Sequence, residues 1–193
     1  MIYKSLEILK KVIQDYLILF PEFDALKEAV ILSPVVKEDG SPVTQQDSNS
    51  LFITLVRVEE ERVLKSQNSI SITPEGQMSK VNPEIKLNLF ILFSANCQYY
   101  ETGLKLISAV VRCFQKNNVF TPVNTPDMDP SLQKLIVELY TLSFEEQNHL
   151  WGSLGAKYLP SVLYKVRLLT VQEDQKLREG PPISKAEFNG RGI

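Results

Sequence analysis

A chain of 193 residues, 44% of them hydrophobic and 23% charged, has the size and composition of a single globular domain, which excludes disordered, fibrous and membrane-embedded classes. A formal charge of −2 and a pI near 5.6 give no general attraction to phosphate backbones. No run of Lys and Arg restores one locally, so no nucleic-acid partner is expected. No stretch reaches the ~18 uninterrupted apolar residues of a membrane span, so none is expected in a membrane. The two cysteines, Cys97 and Cys113, are about 24 Å apart along a helix axis and cannot bridge each other. Free thiols with no secretory signal point to folding in the cytoplasm.

Residues 2–20 read as an amphipathic helix. Ile2, Leu6, Leu9, Ile13, Tyr16 and Phe20 recur at three- and four-residue steps opposite Lys4, Lys10, Lys11, Gln14 and Asp15, and Pro21 stops the run. Residues 29–32 form a short strand, and residues 33–50 have the Pro, Gly, Asn and Asp content of a loop. Residues 51–64 begin as a buried strand and end as a charged one. Residues 65–83 are polar and form a long excursion between two antiparallel strands.

The organising stretch is 85–116. Ile85, Leu87, Leu89, Ile91 and Phe93 alternate along a strand, whose other face turns from polar to apolar through Lys86, Asn88, Phe90 and Leu92. The period then changes to that of a helix, with Tyr100, Leu104, Ile107, Val111 and Phe114 on the expected buried stripe. Residues 134–142 read as a strand, since their β-branched and aromatic content outweighs a helix-like start. Ser143 and Glu146 match a capping box opening a short helix through about Leu154, with Gly155 as its stop. Residues 159–170 form the last strand, with Val162, Tyr164, Val166 and Leu168 on one face and Leu163, Lys165, Arg167 and Leu169 on the other. Residues 172–193 read as a flexible C-terminal tail after a domain at 1–171. The expected fold is α/β (α+β): one domain with a mainly antiparallel sheet and helices packed on it.

The chemistry-bearing residues are sparse. His149, the single histidine, has no Ser, Cys or carboxylate in a recognisable motif around it, and one histidine with two distant cysteines meets no common zinc spacing. No metal or cofactor is expected. Gly152-Ser-Leu-Gly155 lacks both the length and the preceding strand of a phosphate-binding loop. An enzyme would have only Glu59, Glu61 and His149 as an acid–base set. The run Glu59-Glu60-Glu61-Arg62 and the cations Arg57, Lys165 and Arg167 read better as surfaces facing a partner or solvent.

Four blocks carry a family resemblance: Asn49–Arg62, Asn82–Ser94, Phe120–Pro126 and Leu150–Arg167. Jointly and in this order they resemble the tail-terminator, or cap, proteins of extracellular contractile injection systems, phage-tail-like particles of the antifeeding-prophage type. The similarity covers roughly residues 3–171. It implies a structural protein and not an enzyme: a homo-hexameric ring that sits on the inner tube protein and sheath protein, ends their polymerisation and helps to fix particle length. Such a particle is assembled in the bacterial cytoplasm and released. On this reading Arg57, Glu59, Glu60, Glu61, Arg62, Lys165 and Arg167 are the candidate subunit or sheath interface. The alternative within the same particle is a tube or baseplate adaptor.

Overall fold

The computed structural model describes residues 1–41, 43, 49–61, 70–72, 78–80, 85–129, 132–171 and 178–179. Its elements in order are α1 (Ile2–Ile18), a 3-10 segment (Pro21–Ala29), β1 (Val30–Leu32), β2 (Ser50–Glu60), β3 (Ile70–Ile72) and β4 (Met78–Lys80). There follow β5 (Ile85–Asn96), α2 (Tyr100–Lys116), β6 (Val119–Phe120), β7 (Leu135–Tyr140), α3 (Phe144–Ser153), β8 (Ser161–Val171) and β9 (Arg178–Glu179). The described residues of 1–60 and 87–169 form one compact unit, and those of 61–86 and 170–193 a second.

Six strands form a mixed sheet in the order β1-β2-β5-β8-β7-β6. Strand β1 runs parallel to β2, while β2 with β5, β7 with β8 and β6 with β7 are antiparallel. Strand β5 is central, and from Asn88 to Ala95 it is buried on both faces, as its polar-to-apolar drift requires. One face carries α1 and α2 over Leu89, Ile91 and Phe93; the other carries α3 over Phe90 and Leu92, with Val35, Trp151 and Leu163. The second unit contains a three-stranded sheet in the order β3-β4-β9. Arg178 and Glu179, which fall in the expected tail, pair antiparallel with Lys80 and Ser79. The rest of the tail lies outside the described residues. The long excursion therefore contains two strands of its own, which its polar composition hid.

Two helical expectations need correction. Helix α1 ends at Ile18, and Pro21 opens the 3-10 segment that leads into β1. Helix α2 ends at Lys116 as expected but starts only at Tyr100, leaving Cys97 outside it, and its buried face is Gly103, Leu106, Ala109, Val110, Cys113 and Phe114. Of the expected stripe Phe114 is buried and Ile107 packs against the core, whereas Tyr100 is 66% exposed and Leu104 43%, so the first turns of α2 are rotated from the expected facing. The cause is the small residues. A Cβ on Gly103 would lie 3.6 Å from the Ala95 Cβ, so this turn of α2 lies close against the end of β5, and periodicity weighs Tyr and Leu above the Gly and Ala that permit such an approach.

Candidate functional site

A bulge in β2 decides where the expected interface residues lie. Leu55 pairs with Ile91, but Arg57 pairs with Phe90, so Val56 is the extra residue. Without it Arg57 would share the face of Leu55 and Ile91, toward α1 and α2. With it Arg57 and Glu59 share the opposite face with Phe90 and Asn88, at the end of the sheet toward Glu60. Strand β8 sends Lys165 and Arg167 to the same face by simple alternation from Leu163.

Phe90 is the centre of this surface. The Arg57 guanidinium lies 5.5 Å from its ring centroid and the Lys165 ammonium 5.7 Å, while the Tyr140 ring meets it edge-on at 5.1 Å. Two cations thus shield a ring that is only 6% exposed, each contact contributing about 0.5–1 kcal/mol. Arg57 also reaches the Glu59 carboxylate at 3.5 Å, and Arg167 Nη1 donates to Glu138 Oε1 at 3.3 Å. Glu138 pairs directly across from Lys165. The arrangement is a mosaic of alternating charge around an aromatic pair, suited to binding a polar partner.

The remaining expected residues part company with this surface. Glu60 pairs with Leu87, which packs on the core beneath α1 and α2, and so faces the other way. The Glu61 amide donates to the Lys86 carbonyl at 2.7 Å. Arg62 lies outside the described residues. His149 is exposed on α3. Phe90, Glu138 and Tyr140 belong to the surface but were missed. Only the cross-strand register links them to it, and no single segment carries that signal.

Two concavities lie elsewhere. An open groove of about 940 Å³ runs between α1, α2 and residues 124–129, with Cys113 and Phe120 in its lining and Lys4 and Lys11 paired with Asp129 and Asp127 at its rim. A smaller one of about 250 Å³ is lined by Tyr100, Gly103, Tyr158 and Pro160. Neither contains Glu59, Glu61 or His149. Burial pushes the Cys113 thiol up to about 12, and burial and the neighbouring Cys113 push the Tyr164 phenol up to about 12, so both are neutral packing groups. The Ser143 backbone and side chain hold the Glu146 carboxyl below its ordinary value, and both bonds of the expected capping box are present. Among the described residues, no group of three or more His, Cys, Asp or Glu is placed to hold a metal ion, and no helix is long and apolar enough to cross a membrane.

The whole fold has counterparts among solved structures. It is similar to the sheath/tube terminator of an extracellular contractile injection system, PVC, in its extended state: TM-score 0.68, 14% identity, covering 100% of this chain and 64% of that one. It is also similar to the tube-terminating cap of the anti-feeding prophage, with TM-score 0.66 and 14% identity over 96% of this chain and 60% of the other. The chain thus spans less than two thirds of the length of either. At this identity the likeness establishes the fold, a mixed sheet with three helices. No curated protein matches the sequence. The family model for the Pvc16 N-terminal domain matches residues 6–185, and the chain belongs to that family.

Proposed function

We propose that this chain is a structural cap of a contractile injection particle, ending the inner tube and sheath and thereby helping to fix their length. The observation that carries this reading is fold correspondence along the whole chain with two terminators of such particles. It acts as a non-enzymatic ring subunit, six copies to a ring, joined to tube and sheath proteins; the particle is built in the bacterial cytoplasm and then released. The sheet face bearing Arg57, Glu59, Lys165 and Arg167 is the surface that meets sheath or a neighbouring subunit. Its partly exposed paired charges favour that role, because such groups set orientation and partner choice at little cost to the fold.

Particles from cells lacking the protein test this directly. Overlong or ragged tube and sheath in electron micrographs are expected. Normal length with a missing baseplate would make the chain an adaptor instead, and unchanged particles would overturn both.

A further inference from the structure

The outer faces of the helices raise a question about how copies of the chain meet. Helix α2 covers one face of the sheet and α3 the other. Along its solvent side α2 exposes Lys105, Arg112 and Lys116 against Glu101 alone. Helix α3 exposes Glu145 and Glu146 in its first turn and contains no Lys or Arg. No basic run foreshadows this, because the three cations are gathered by helical spacing and not by adjacency. The exposed sides of the two helices therefore carry opposite charge, although the sheet face beside α3 also bears Arg57, Lys165 and Arg167.

Apolar groups accompany the charge on both faces. Phe144, the first residue of α3, is 92% exposed beside the two glutamates. At the N-terminal end of α2, Tyr100 is 66% and Leu104 43% exposed, next to the small groove shared with Tyr158. That groove has room for one aromatic side chain.

Resting on the cap reading, which requires several copies to meet at one tube end, we propose that a second copy of this chain docks head to tail. The first turn of α3, with Phe144, seats against the outer face of α2 in the next copy. Charge decides the symmetry. A two-fold contact through α2 would oppose cations, and one through α3 would oppose carboxylates, whereas α2 against α3 pairs unlike charges. A contact between two different faces repeats around a ring or along a filament.

The test uses two charge variants of the full chain. Lys105→Glu with Lys116→Glu makes α2 acidic. Glu145→Lys with Glu146→Gln makes α3 basic and keeps a side chain able to complete the capping box. Each variant alone is expected to self-associate about tenfold more weakly than the parent in low-salt sedimentation, and Phe144→Ser to do the same. An equimolar mixture of the two charge variants is expected to regain association, since alternating copies restore every unlike pair. If the parent is monomeric in solution, the same samples are imaged on purified tube ends. Variants that assemble singly like the parent, or a mixture that fails to recover, overturn the interface while a parent that still caps tubes keeps the cap reading. A parent absent from tube ends overturns the cap reading, and solution association then decides the interface by itself. A parent both monomeric and absent from tube ends overturns both.

Discussion

Phe93 of β5 and Phe114 of α2 meet with ring centroids 5.5 Å apart and planes inclined at 55°, and Tyr164 of β8 closes the cluster at 4.9 Å from Phe114 and 5.7 Å from Phe93. The apolar stripe of the central strand finds its cover here. All three rings are at most 3% exposed, so the cluster ties α2 to two neighbouring strands at once.

Phe114→Ala removes the ring that α2 contributes to the cluster. A cost of about 3–5 kcal/mol is expected, as for other buried aromatic truncations. Urea titration followed by circular dichroism reads it directly, and a loss below about 1 kcal/mol would show that the cluster is not the anchor of α2.

Gly103→Ala should stabilise. The added Cβ would lie at ordinary contact distances, 3.6 Å from the Ala95 Cβ and 3.8 Å from Pro160 Cγ, and the residue is helical. Removing the conformational freedom of a helical glycine contributes about 0.5–1 kcal/mol, a rise of a few degrees in Tm. A larger side chain such as Leu has no room between α2 and Ala95 and should lower Tm.

Alkaline pH should unfold the protein through its buried neutral groups. The Cys113 thiol rises from 9.0 to about 12 and the Tyr164 phenol from 10.0 to about 12, in each case mainly by burial. A folded-state value above the unfolded one gives stability that is complete below the unfolded value and lost as pH rises through the folded one. Urea midpoints should therefore hold to about pH 9 and decline toward pH 12. Cys113→Ala should flatten the first part of that decline, and an unchanged slope would show that Cys113 ionises freely in the native fold.

Arg57→Glu with Lys165→Glu separates folding from binding. Both cations lie over Phe90, so their loss is expected to cost about 1–2 kcal/mol, and the fold should survive. Decoration of tube and sheath ends should nevertheless disappear, as seen by electron microscopy of particles from cells making the variant. Capping at parental levels would remove this face from the interface.

The sequence by itself determined the type and place of β5, α2 and α3, because each depends on local chemistry: unbroken alternation, a four- and three-residue period, and a capping box whose two hydrogen bonds form as read. It also located the charged end of β2 and the cations of β8. Tertiary structure alone decided which way these point. The extra residue Val56 shifts the pairing of β2 by one position and turns Arg57 toward Phe90, and a bulge is a property of two paired strands that neither strand announces. The rotation of α2 has the same origin: Gly103 and Ala109 are weak in any hydrophobic pattern, yet their smallness permits the close approach to the sheet that buries them and leaves Tyr100 and Leu104 outside. Local periodicity fixes the type of each element, whereas its facing follows from register and close packing, which exist only once the strands and helices have met.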